Sequence, residues 1–212
     1  MEKVIFQQKW IENAVKRFLG KENEDICISD MKQIKYLRIG ENFDNAFTIE
    51  MSKECPPNPF VAKDGGEEWE YACLKKKDIS RFIQKEKEDF DHQLFLWRFE
   101  HEENTENVWS DNAQKNWDTF AQTIYKEEYY EEIEDEDQWE EWYEETKKNI
   151  YTDLGVFTEI QVLRIGGTHI PDFTVLQKLE QLHTLEVVGT YFEKNDGIEV
   201  LNNLEQLCCW LG

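Results

Sequence analysis

The sequence predicts an α/β (α+β) chain built as a short solenoid, a coil of stacked strand-and-helix units with its parallel strands on the concave face, a helical N-terminal cap and an inserted helix-rich segment. Three observations carry this. Apolar residues recur with a fixed period of 22 from Leu154 to Gly212. A single apolar helical face opens the chain, and between the two lies a long stretch in which aromatic residues punctuate runs of acid.

Residues 1–29 form the predicted cap. Phe6, Trp10, Ala14, Val15, Phe18 and Leu19 recur at helical spacing, so they share one face, and Gly20 stops the helix. Residues 30–45 hold a first repeat unit. Its lead-in and body, Ile28, Met31, Ile34, Leu37, Ile39 and Asn42, match Leu154, Phe157, Ile160, Leu163, Ile165 and Thr168 column for column.

Residues 46–153 interrupt the pattern. The units beginning at Ile28 and Leu154 are separated by 126 residues, not a multiple of 22, so an insertion or a run of decayed repeats intervenes. Ala46–Met51 reads as a strand and Cys55–Pro59 as a rigid proline-rich loop. A helix is expected over Ser80–Phe90 and a mostly buried strand over Gln93–Phe99. Ser110 or Asp111 caps a further helix with Ala113, Trp117, Phe120, Ala121 and Ile124 on one face. That face is expected to continue through Tyr129 and Ile133 into a second helical piece carrying Trp139, Trp142 and Tyr143. Aromatics at such spacing read as packing against the flank of the repeats. From Glu127 to Glu145 nearly every other position is acidic, which fits a solvated helix face or a docking surface for a basic partner. Glu131, Glu132, Glu134, Asp135, Glu136 and Asp137 lack the glycine and alternate ligand spacing of a calcium loop.

Residues 154–212 carry the repeats. Leu163 and Ile165 alternate with Arg164, the period of a short strand buried on one face, and Leu185 with Val187 and Leu207 with Cys209 fall in the same columns. Thr168 and Thr190 follow where the chain must turn, because a hydroxyl there satisfies backbone groups leaving the strand. Leu176, Leu179 and Leu182 fit a helical segment returning on the convex side. No unit of this size buries its apolar face alone, so neighbours must stack. The pattern, as in Ile160-Gln-Val-Leu163-Arg-Ile165-Gly-Gly-Thr168-His-Ile170, resembles the leucine-rich repeat, with Thr where Asn or Cys is usual and Asn at Asn42. A helix ending in Leu19-Gly20-Lys21 and a Ser29-Asp30 lead-in resemble the N-terminal cap of bacterial proteins of the internalin kind, which implies a lid over the end of the core.

Composition narrows the partners. At 212 residues the chain is long enough for a core, and eight Trp with thirteen Phe argue against disorder. A net charge of -22 repels nucleic-acid phosphates and anionic membranes, so neither is an expected partner. No apolar run suggests a leader or a membrane span, and five cysteines without C-x-x-C spacing read as reduced thiols, so the cytoplasm is the expected location and no metal or cofactor is expected. Phosphate loops, H-E-x-x-H and G-x-S-x-G are missing, and His92, His101, His169 and His183 stand singly. Catalysis is therefore not expected.

Another protein is the expected partner. The outward positions of the parallel strands fall in columns about 4.8 Å apart, and Tyr36, Arg38, Val162, Arg164, Thr184, Glu186, Val188 and Trp210 are the candidate partner-binding residues. The alternative for Arg164 and Glu186 is a plain cross-strand pair. The last unit shows no cap, which leaves Trp210 and Leu211 covered by the insertion, covered by a partner, or free to self-associate. The expected role is a protein-interaction module, an adaptor; the alternative is an acidic inhibitor of the immunity type that neutralises a basic protein such as a nuclease.

Overall fold

The computed structural model describes residues 2–41, 46–57, 70–76, 79, 111–188, 191–192, 194 and 196–211. Helix α1 spans Lys9–Leu19 and buries Trp10, Ile11, Ala14 and Val15; it ends at Gly20 in the left-handed conformation, φ 69°. A short helix α2, Ile28–Met31, follows. The strands are β1 (Tyr36–Glu41), β2 (Phe47–Ser52), β3 (Glu70–Lys75), β4 (Tyr125–Tyr129), β5 (Val162–Gly166), β6 (His169–Ile170), β7 (Thr184–Val188), β8 (Tyr191–Phe192) and β9 (Gln206–Leu211). Helices α3 (Asp111–Ala121) and α4 (Glu136–Leu154) flank β4.

Seven strands form one mixed sheet in the order β3-β9-β7-β5-β1-β2-β4. Strands β1, β5, β7 and β9 are parallel, with Tyr36 opposite Val162, Val162 opposite Thr184 and Thr184 opposite Gln206. The sequence period of 22 is thus the strand register itself. Strands β5, β7 and β9 are entered through the same backbone bond: Gln161 N–H donates to the Lys35 carbonyl, His183 N–H to Gln161 and Glu205 N–H to His183. β6 and β8 pair separately, also in parallel.

The returns between strands are 3-10 helices, Thr174–Lys178 and Ile198–Asn203. Apolar spacing explains why. Leu176, Leu179 and Leu182 recur every third residue, and Leu179 N–H donates to the Leu176 carbonyl, Leu182 N–H to the Leu179 carbonyl. Bonds from i to i+3 are what keep every third side chain on one face. Phe157 and Ile160, and Leu201 and Leu204, repeat that bond in the neighbouring units.

Residues 46–153 supply strands at both ends of the sheet. β2 pairs antiparallel with β1, β4 with β2, and β3 antiparallel with β9. The final strand is therefore not an edge: of the alternatives for the C-terminal end, an element of the insertion, β3, lies alongside it. A second correction concerns Tyr125–Tyr129, expected on a continuous helical face and found as β4. Tyr125, Glu127 and Tyr129 are half-buried while Lys126 and Glu128 are exposed, so the period here is two. Met51, Ile49 and Phe47 of β2 stand opposite the first set. The expected helix over 80–90, the strand over 93–99 and Asn42 lie outside the described residues.

One sheet face carries the main core. Leu37, Ile39, Leu163, Ile165, Leu185, Val187 and Leu207 are buried there with the residues of α1, the 3-10 segments and the end of α4. Burying each such Leu or Ile contributes roughly 1.5–3 kcal/mol. Trp142 and Tyr143 of α4 pack beside this core, 5.7 and 5.5 Å from the Phe47 ring, Trp139 stacks on Tyr143 at 4.8 Å, and Trp10 stacks on Tyr129 at 5.3 Å.

Candidate functional site

The opposite face of the sheet carries the predicted site columns. At its centre the register aligns Glu50, Arg38, Arg164, Glu186 and Cys208 in one row across five strands. Arg38 Nη1 lies 3.0 Å from Glu50 Oε1, and Arg164 Nε lies 3.2 Å from Glu186 Oε2. The Tyr36 hydroxyl donates to Glu50 Oε2 at 3.3 Å. Two arginines are neighbours, and a glutamate flanks each on its outer side. Four charges of alternating-pair arrangement thus neutralise one another along the row.

This row is not an open surface. Tyr36, Val162, Arg164, Thr184 and Glu186 are all buried, Glu186 to 1% exposure, and Arg38 is half-buried. The expectation of a solvent-facing concave sheet is corrected by the insertion. β2 widens the sheet, so Glu50 from residues 46–153 closes the row, and α3 lies on this face with Phe120 edge-on to Tyr36 at 5.3 Å. Tyr36, Phe120 and Val162 form a small second core, with Trp117 and Ile124 half-buried around it. Ser52 and Thr123 hydroxyls meet at 2.8 Å and tie β2 to the turn after α3. Burial pushes the Tyr36 phenol well above its usual range, and the Glu50 carboxylate adds to that. The Val188 and Trp210 backbones continue the Gly40 and Gly166 row, while their side chains lie outside the described residues.

Gly40 and Gly166 mark a close approach in that row. A Cβ on Gly40 would sit 1.8 Å from the Gly166 carbonyl oxygen, and Gly40 has φ 146°. Only glycine fits.

Glu50 was missed as a member of the row, although the Ala46–Met51 strand was legible. Nothing in a hydrophobic period of 22 says that a strand outside the period pairs antiparallel with the first unit.

A second arrangement lies on the outer surface. In α4, Glu136, Asp137, Glu140, Glu141 and Glu145 are exposed, and Glu132 and Glu134 are exposed just before it. Among the described residues none of these carboxylates meets a cation, whereas Glu144 is held by Lys147 at 2.8 Å and Glu127 by Arg17, with Nε 2.9 Å away. The aromatic side of α4 faces the core region, so its acid side faces water.

Among the described residues no three His, Cys, Asp or Glu side chains converge as metal ligands, and no helix is long and apolar enough to cross a membrane. Compared with protein-family models, with curated proteins and with solved structures, the chain matches none of them.

Proposed function

We propose that the chain is a leucine-rich-repeat protein with an internalin-like helical cap, that it works in the cytoplasm by binding another protein and not by catalysis, and that its partner is basic. The repeat assignment is supported by the parallel register of β5, β7 and β9 on a step of 22 residues and by the recurring 3-10 return. One observation carries the partner's chemistry: the outer face of α4 and the segment before it present Glu132, Glu134, Glu136, Glu140, Glu141 and Glu145 without cations among the described residues. Carboxylates concentrated on one side, in a chain of net charge -22, draw a basic protein by long-range attraction and set its orientation.

The most specific form of this reading is an inhibitor that neutralises a basic enzyme such as a nuclease. The charged row on the sheet enters only as framework, because the chain's own residues bury it. The test is affinity capture from the native host with low-salt and then high-salt washes, beside a variant with Glu136, Glu140, Glu141 and Glu145 changed to Gln. A basic protein held at low salt by the wild type and lost by the variant supports the reading. A partner retained equally by both at high salt overturns it, since an interaction screened over about 8–10 Å should weaken steeply with salt.

A further inference from the structure

The seven-stranded sheet ends at β4, and what lies along that outer edge decides how a partner sits. β4 hydrogen-bonds to β2 on one side; on the other, among the described residues, no backbone group takes up its N–H and carbonyl groups. The two sheet faces of β4 differ: Lys126 and Glu128 are exposed on one, and the other packs on the core. On the core side α1 covers it, with Trp10 on Tyr129, Phe18 5.9 Å from Tyr125, and Arg17 on Glu127. Among the described residues the outer edge of β4 is thus unpaired. Immediately beyond it, Tyr130 is 65% exposed, and the exposed acids Glu131, Glu132 and Glu134 follow.

We infer that β4 is a docking edge for an extended, basic segment of the partner, which adds as a further strand beside Tyr125–Tyr129 while its cations meet Glu128 and the acids that follow. Strand addition supplies affinity through main-chain bonds, and side chains at alternate positions supply selectivity. Charge names the occupant. A second copy brings another net charge of -22, whereas a lysine- or arginine-bearing strand brings the complement. Lys126 and Glu128, which pair at 2.8 Å on the exposed face, also keep the edge from being the flat apolar strand that aggregates. This inference rests on the proposed basic partner and adds where and in what conformation that partner binds.

A fluorescent peptide of alternating lysine and valine is the probe, beside the same peptide N-methylated at alternate residues along one edge, which retains charge and side chains but cannot form a ladder. The expected result is binding of the parent about tenfold or more tighter than the methylated peptide, since two or three main-chain bonds separate them. Amide exchange should slow selectively within Tyr125–Tyr129, and changing Glu131, Glu132 and Glu134 to Gln should weaken binding of the parent. Equal binding of the two peptides overturns the docking edge and leaves the charge-based reading standing. Binding of neither overturns the edge as well, while the salt-dependent capture judges the broader reading separately. Sedimentation showing a dimer at micromolar concentration, with the same amides protected, overturns the choice of occupant in favour of a second copy.

Discussion

At the centre of the sheet both faces are covered, yet they are built on opposite principles. On the core face Leu37, Leu163, Leu185 and Leu207 stack strand to strand, and burial of apolar area is the whole of the driving force. On the other face the central row is Glu50, Arg38, Arg164 and Glu186, and the apolar cover reduces to Tyr36, Val162 and Phe120 with their neighbours. Taking charges out of water costs several kcal/mol each, and their mutual attraction returns that only when the pairing is close. The core face therefore supplies stability. The charged face supplies register: slipping one strand by a single residue would turn Arg164 into the leucine core and Leu163 out of it.

The largest expected effect breaks the charged face at one partner. Glu186→Leu leaves the Arg164 guanidinium buried without that carboxylate and should cost about 3–5 kcal/mol in urea unfolding. The double change with Arg164→Met should recover most of it, because an apolar pair of similar volume carries no charge to desolvate. A double variant as unstable as the single one would show that the two side chains do not act as a pair. On the core face Leu185→Ala should cost about 3 kcal/mol, and no second substitution of charge type should restore it, since the loss is a cavity. Phe120→Ala should cost about 3 kcal/mol, the low end for a buried Phe, because its half-buried neighbours Trp117 and Ile124 can close over the gap. Its signature is faster amide exchange in α3 with little change in β7. Equal loosening of both would mean that the two cores unfold as one.

The same contrast sets what the sequence could disclose. The core face was legible because its order is periodic: Leu163, Leu185 and Leu207 occupy one column of the sequence and one row of the sheet. Arg164 and Glu186 were legible as register neighbours for the same reason. Their burial was not, because the cover comes from α3 and the row's end from β2, elements joined to the repeats by long-range pairing that no local period encodes. β4 shows the limit most sharply. Tyr125, Tyr129 and Ile133 are four residues apart, a spacing that a helix face and one side of a strand both satisfy. Only the match of Tyr125 with Met51 and of Tyr129 with Phe47 decides between them. The acid run was legible as composition, while which acids have cations depends on where Arg17 and Lys147 are carried by their helices.

The smallest expected effect sharpens the comparison through a carboxylate on the core side. Where Glu50 and Glu186 face arginines, Asp153 at the end of α4 is buried beside Leu154 and accepts only backbone N–H groups, from Gln7 at 2.7 Å and Gln8 at 2.9 Å. It thereby caps the approach to α1 from 145 residues away, in place of Gln8, whose own side chain does not cap the helix. Burial pushes its carboxyl from the usual 3.8 up to about 6, and the two N–H donors only partly oppose that. Between those two values the folded chain holds more protons than the unfolded one, so this group's contribution to stability falls as pH rises from about 4 to about 6 and is constant above. Asp153→Asn loses one acceptor at every pH but has nothing to titrate. The stability of the wild type minus that of the variant should therefore decline by on the order of 2 kcal/mol between pH 4 and pH 7. A difference that rises with pH instead would mean that the N–H donors outweigh burial, and that even the core side stabilises an ionised carboxylate without a cation.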